Sequence, residues 1–231
     1  MKVSILTLFP KMFEGPFDLS IIQRAKEKKL IEINFVDIRD FGIGKHKTVD
    51  DKPYGGGIGM ILKVDVLKNA LDSVTEKKLK KNEQKIILLS ATGEIYNQTK
   101  ARDFSKLKHL IIICGHYEGV DERIKDFIDE EISIGDFVLT GGEIPAMLII
   151  DSVGRLVKGV LKKGATENES FSEANMHLEH AQFTRPYDFK GLKVPAILLS
   201  GNHEDIDAWK KKTSLEKTKN LRIDLLKKGT H

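Results

Sequence analysis

Three glycine-bearing segments hold the residues with which this chain could bind or transform a ligand. The first is Pro53-Tyr54-Gly55-Gly56-Gly57-Ile58-Gly59-Met60. It fails the dinucleotide fingerprint, because Met60 stands where a third glycine is needed, and no Walker lysine follows. Four glycines in five residues leave the backbone open to close approach by a flat ligand such as a base; a surface turn is the other reading of such a run. The second segment, Cys114-Gly115-His116-Tyr117-Glu118-Gly119-Val120-Asp121-Glu122-Arg123, directly follows an apolar run. Ligands of open α/β sheets bind there, outside the carboxyl ends of strands. Glu118 can accept hydrogen bonds from a ligand, and Asp121 can cap the next helix. His116 and Glu118 together have too few partners for a metal, so His116 reads as structural or RNA-facing. The third segment is Ile132-Ser133-Ile134-Gly135-Asp136-Phe137-Val138-Leu139-Thr140-Gly141-Gly142. Its glycines bracket a short extended piece whose backbone groups can read the edge of an adenine while its apolar side chains sandwich the ring. Glycines at ordinary hairpin ends would look the same.

Positioning such segments requires strands that end at them. Short apolar runs predict strands at 2–7, 31–37, 85–90, 109–114 and 131–134, and amphipathic stretches between them predict helices at 18–28, 65–77, 97–107 and 121–129. The alternation is that of an α/β layer fold. Leu110-Ile111-Ile112-Ile113 shows no polar alternation, so both its faces are expected to be covered, as in a parallel sheet. A longer helix should start at Glu143, with Gly142 before it and Pro145 in its first turn. After Leu161 the character changes: 162–170 is polar without hydrophobic period and reads as a mobile linker. Helical spacing returns at 205–212 and 214–228, around Trp209, Leu215, Leu221 and Leu225. The expected organisation is an α/β domain over 1–161, a linker over 162–175 and a small, mostly helical domain over 176–231.

The chain has 231 residues, 40% hydrophobic and 31% charged, enough for a sizeable core under an ordinary solvated surface. A single cysteine, Cys114, excludes an internal disulfide and any multi-cysteine zinc site within one chain. The N-terminal apolar run stops at Pro10 and reads as a buried strand, so no secretory leader is expected and the cytoplasm is the expected compartment. No stretch approaches the ~20 apolar residues of a membrane helix. Net charge is +4, and 205–231 carries all of it, with eight Lys/Arg against four Asp/Glu. A basic terminal helix can neutralise phosphates, or serve only as a solubilising face.

Five stretches in order, Val49-Asp50-Asp51-Lys52-Pro53-Tyr54-Gly55-Gly56-Gly57, Gly115-His116-Tyr117-Glu118-Gly119, the run from Ser133 to Gly142, Thr184-Arg185-Pro186 and Leu199-Ser200-Gly201-Asn202-His203, resemble the bacterial tRNA (guanine-N1)-methyltransferases. The resemblance extends to about Leu225. It implies a trefoil-knotted α/β methyltransferase domain with a parallel sheet, a small helical tRNA-binding domain, a homodimer and methylation of guanine 37, just 3′ of the anticodon. Knots are rare exceptions to chain-threading rules, and periodicity does not disclose one.

By the same resemblance, S-adenosyl-L-methionine sits among three loops. They comprise Leu88, Leu89 and Ser90; Gly115, Tyr117, Glu118 and Gly119; and Ser133, Ile134, Gly135, Asp136, Phe137, Val138, Leu139, Gly141 and Gly142, with Pro145. Tyr54, Gly55, Gly57, Gly59, Arg185, Lys211 and Arg222 are the implied tRNA contacts. Guanine N1 carries a proton at neutral pH, so transfer needs a base, in-line positioning and stabilisation of charge on O6. The implied O6 partner is Arg155. The implied base is Glu169, where the family pattern has aspartate before Ser-Phe; Glu167 is a second candidate. A Leu-Arg-Arg-Pro stretch of the family is here Leu221-Arg222-Ile223-Asp224, so Lys210, Lys211, Lys212, Lys217 and Lys219 are expected to compensate. A Mg2+ requirement is implied by resemblance alone, with its ligands unknown. Two competing readings stand beside this one: methylation of a ribose 2′-hydroxyl, and a silent RNA-binding protein that retains the pocket.

Overall fold

A computed structural model describes residues 1–172 and 176–227; the end of the expected linker, 173–175, and the expected last helix from Lys228 onward lie outside the described residues. The chain divides into two compact units, Met1–Leu161 and Lys162–His231.

The first unit is built on a five-stranded sheet. Its strands are β1 (Lys2–Thr7), β2 (Glu32–Asp37), β5 (Gln84–Ile95), β6 (His109–Cys114) and β7 (Glu130–Ser133), in spatial order β2-β1-β6-β5-β7. Every pairing is parallel, with Ile5 opposite Ile112 and Ile87 opposite Ile112 on the other side. A parallel sheet has both faces covered, and the unbroken apolar run of β6 shows how. All six of its residues are buried. Leu110, Ile112 and Cys114 pack into one core with helices α1 (Ser20–Glu27), α3 (Gln98–Ser105) and α4 (Glu143–Gly154), through Ile22, Phe104 and Ile149. Ile111 and Ile113 pack into the other with α2 (Val64–Val74), through Val66, Leu67 and Leu71. Two residue pairs, β3 (Asp50–Asp51) and β4 (Ile61–Leu62), form a small antiparallel ladder beside the sheet.

Two expected helices differ. Helix α2 stops at Val74 because Thr75 turns extended and the Glu76 N–H donates to the Gln84 side chain at 2.9 Å. The stretch expected as a helix at 121–129 is a 3-10 helix, Glu122–Phe127, capped by Asp121 as anticipated. It is cut short where Asp129 is bonded on both sides of Ile86, its own N–H to the Ile86 carbonyl and its carboxylate to the Ile86 N–H. Strand β5 is also longer than expected and contains a bulge between Leu89 and Glu94. A glycine inside a strand pattern, here Gly93, is the usual sign of one.

In the second unit, one 19-residue helix, α5 (His203–Leu221), replaces the expected break at Thr213. The Thr213 hydroxyl returns to the Trp209 carbonyl at 2.9 Å, so the helix runs through it. Asn202 caps its start by accepting from the Glu204 N–H, and the short α6 (Ile223–Lys227) follows. A hairpin of β8 (Asp188–Phe189) and β9 (Leu192–Lys193) was not expected from the patterning. Ser214 and Thr218 are buried because they hold Leu178 at both its backbone groups, at 2.6 and 2.9 Å. The Ser172 N–H donates to the Glu169 carbonyl, and Phe171 and Ser170 bond to His177 and Glu179. The segment around Glu169 is therefore held within its own unit.

Candidate functional site

At the carboxyl ends of β6 and β7 and at the bulge of β5 a cavity of about 360 Å³ opens, within the size range of small-ligand pockets. Its walls are the three expected loops. Leu88, Leu89, Ser90, Gly115, Tyr117, Glu118, Gly119, Ser133, Ile134, Gly135, Phe137, Val138, Leu139, Gly141, Gly142 and Pro145 all line it. Asp136 does not. Ala91, Thr92, His116, Val120, Glu122, Lys125, Glu131, Ile132 and Thr140 complete the lining. Of these, Thr92, Lys125 and Glu131 are polar groups that the sequence reading passed over.

Backbone bonds stitch the walls together. The Gly142 N–H donates to the Gly115 carbonyl at 2.9 Å, and His116 bridges Gly141 antiparallel. The Ser133 carbonyl accepts from Tyr96 at 2.7 Å, and the Ser133 hydroxyl turns back on Gly135. The piece that follows is bent rather than extended over Ile134–Phe137, with the Phe137 N–H donating to the Gly135 carbonyl at 3.0 Å, and it presents apolar surface: Phe137 is 55% and Val138 89% exposed. Side chains of this type left open beside a cavity are what a flat ring would cover.

The glycine run is joined to the same site. Gly55, Gly56, Gly57 and Gly59 all have positive φ, which confines those positions to glycine. Gly59 is further constrained, because an added Cβ would lie 2.7 Å from Glu118 Oε1. The Glu118 N–H donates to the Met60 carbonyl at 3.1 Å, Leu62 to the Gly119 carbonyl at 3.1 Å, and Asp121 to the Leu62 carbonyl at 2.9 Å. Tyr54, fully exposed, borders a second, open hollow of about 890 Å³ with Lys52, Lys63 and Arg123. This hollow shares Val120 and Glu122 with the first cavity.

Ionisable groups near the cavity have distinct states. Burial pushes the Cys114 thiol well above its ordinary range, and the Glu143 charge adds to the shift, so Cys114 is no nucleophile. Glu143 is buried at the first turn of α4 and accepts from the Thr7 hydroxyl at 2.7 Å. Burial alone would raise the Glu131 carboxyl, but bonds from Lys125 and Thr92 prevail and hold it below the ordinary carboxylate range. His116 packs between Phe9 and Tyr117, at 4.9 and 5.2 Å between ring centres, with Nδ1 buried and without a hydrogen-bond partner among the described residues.

The remaining expected residues lie elsewhere. Arg155 is the C-cap of α4, at the opposite end of that helix from Pro145. Glu169, Arg185, Lys211 and Arg222 belong to the second unit. Arg185 and Lys211 are exposed. Arg222 instead makes a two-point bond to Asp224, at 2.9 and 2.8 Å, which competes with any phosphate. Among the described residues no group of three His, Cys, Asp or Glu comes together as a metal site, and no helix is long and apolar enough to cross a membrane.

Comparison with known proteins gives one family. The model described as "tRNA (Guanine-1)-methyltransferase TrmD" matches residues 1–228. Proteins named tRNA (guanine-N(1)-)-methyltransferase are similar over nearly their whole length. That of Dictyoglomus turgidum is 53% identical over 99% of this chain and 91% of its own. That of Carboxydothermus hydrogenoformans is 54% identical over 98% of this chain and 88% of its own. That of Bacillus subtilis is 51% identical over 98% and 93%.

Proposed function

The chain belongs to the tRNA (guanine-1)-methyltransferase family, and from that premise we propose that it transfers the methyl group of S-adenosylmethionine to N1 of guanine 37 in tRNA. The observation that carries the reading is the cavity at the ends of β6 and β7 and the bulge of β5, with its open apolar wall at Phe137, Val138 and Leu139. The residues present fit the donor: apolar side chains to cover a flat adenine, and polar groups of Ser90, Tyr117 and Glu118 in the same lining. When bound, the donor supplies an already activated methyl on a sulfonium.

The chain's own residues then have three tasks. Tyr54 and the Gly55–Gly59 run hold the guanine beside the donor; their support is the backbone stitching of Met60 to Glu118 and the hollow that adjoins the cavity. Glu169 takes the N1 proton, and Arg155 bonds the developing negative charge on O6. Arg185, Lys211 and Arg222 contact the tRNA backbone, the last after leaving Asp224. The magnesium implied by resemblance has no cluster of ligands among the described residues.

The same reading includes the trefoil knot, a helical tRNA-binding second unit, a homodimer and a cytoplasmic place of action. Two features support the dimer. Helix α4 is apolar on more than one side, with Ile149, Ile150 and Val153 buried and Ile144 and Leu148 about half exposed. Arg155 also stands about 15 Å along the helix from Pro145, at 1.5 Å per residue, too far for its guanidinium to serve the cavity of its own protomer.

The test is methyl transfer from labelled S-adenosylmethionine to tRNA bearing guanine 37 and to the same tRNA with adenine there. Product with guanine alone is expected. Product with both, or with neither, overturns the reading; label on a ribose would establish the 2′-hydroxyl alternative.

A further inference from the structure

The bulge of β5 carries a proton arrangement that the donor reading leaves unused. Leu89 and Glu94 both register against Ile132 of β7, so residues 90–93 leave the ladder, and Ser90, Ala91 and Thr92 line the cavity. Gly93 makes this excursion fit: a Cβ there would lie 2.5 Å from the Ile132 nitrogen. Three side chains then hold the excursion. The Thr92 hydroxyl donates to Glu131 Oε2 at 3.1 Å, the Ser90 and Thr92 hydroxyls are 2.8 Å apart, and the Thr92 N–H donates to the Ser90 oxygen at 3.2 Å. Glu131 Oε1 pairs with Lys125 at 2.9 Å, and Lys125 also pairs with Glu122 at 2.6 Å.

The direction of each proton follows. An ionised carboxylate only accepts, so the single Thr92 hydrogen is committed to Glu131. Thr92 Oγ1 can then only accept from Ser90, and Glu131 is the other acceptor that the Ser90 hydroxyl bonds, so with either partner the Ser90 hydrogen is committed as well. One Ser90 lone pair takes the Thr92 N–H. What remains for the cavity is a second lone pair on Ser90, an acceptor. We propose that Glu131 and Thr92 are positioning residues that turn Ser90 into a fixed hydrogen-bond acceptor for an N–H or O–H group of the methyl donor. Its ammonium and its ribose hydroxyls are the groups of that chemistry. Lys125 keeps Glu131 charged and ties it to the 3-10 helix that follows the second wall.

This inference rests on the donor reading of the cavity, and calorimetric titration of the whole protein with S-adenosylmethionine separates the two. Thr92→Val removes the hydroxyl while keeping the shape of an exposed side chain, freeing the Ser90 hydrogen to point into the cavity. Donor Kd should rise about 3–10-fold, the weight of one hydrogen bond, with the loss on donor KM and not on kcat. Thr92→Ser should restore wild-type affinity. Glu131→Gln should weaken binding similarly, and the double variant Thr92→Val/Glu131→Gln should be no weaker than the worse single one. Wild-type binding with Thr92→Val within twofold of it overturns the inference alone, as does additivity in the double variant or failure of Thr92→Ser to restore. Absence of wild-type binding overturns the donor reading and this inference with it.

Discussion

Replacing Gly93 by alanine tests the bulge directly. The added methyl would sit 2.5 Å from the Ile132 nitrogen and 2.6 Å from the carbonyl carbons of Glu131 and Ile132. Comfortable separation for such atoms is about 3.5 Å or more, so roughly 1 Å must be found. None of those atoms belongs to a flexible side chain; all are backbone of β7. Relief therefore separates β5 from β7 where Glu94 pairs with Ile132 and Ile95 with Ser133. Overpacking of this kind costs about 1–3 kcal/mol, and for a chain of this size that lowers Tm by roughly 2–12 °C. The displacement also moves Ser90 and Thr92 against the donor, and a shift of about 1 Å in a positioned group can cost on the order of 100-fold in rate. Thermal denaturation and initial-rate kinetics with varied donor measure the two effects. A Gly93→Ala protein with wild-type Tm and wild-type donor KM would refute the steric argument.

Three further outcomes are expected. Glu169→Gln should reduce single-turnover methyl transfer by about 100-fold or more while donor Kd stays within twofold, and persistence of turnover would remove Glu169 as the base. Lys211→Ala should weaken tRNA binding across sequences and lower the slope of log K against log salt by about 1, read from filter binding at several salt concentrations. Glu130 is tied to Lys85 and Lys100, each at 2.6 Å. Burial alone would raise its carboxyl, but the two lysine bonds hold it below the ordinary glutamate value of 4.5. Its stabilisation is therefore complete above that value and lost as pH falls through the lower folded-state value. Glu130→Gln should cost about 2 kcal/mol at pH 7 and flatten the acid limb of the stability curve; an unchanged acid limb would show that Glu130 does not govern it.

The sheet was legible because parallel strands leave strong marks: the Leu110–Ile113 run has no polar alternation, and its residues divide between two cores. Two of the cavity walls, Gly115–Gly119 and Ser133–Gly142, were legible because glycine clusters at strand ends announce bends, while Leu88–Ser90 came from the family resemblance alone. Less visible were the polar contacts that depend on neighbours remote in sequence. Thr92, Lys125 and Glu131 look like ordinary surface residues until β5 and β7 are paired with a bulge. Gly93 was the available signal, a glycine breaking a strand pattern. The short strands of the β8–β9 ladder escaped because two residues carry no period. The two helical stretches at 205–212 and 214–228 join through Thr213, whose hydroxyl bonds back to the Trp209 carbonyl within the helix.

The two sides of the site are constructed differently, and this bears on the order of events. The cavity is closed by backbone bonds from Gly142 to Gly115 and by the Glu131 network, so its shape exists before any ligand arrives. Along the glycine run proposed to hold the guanine, Tyr54 and Ile58 are almost fully exposed, and the glycines between them have wide conformational choice. Its end is anchored at Met60, whose carbonyl is held by the Glu118 N–H in the cavity wall. On the proposed function, a donor that contacts Gly115–Gly119 is linked to the end of the glycine run through two hydrogen bonds, Glu118 to Met60 and Leu62 to Gly119. Any effect of the donor on guanine binding must then be matched by an equal effect of guanine on donor binding.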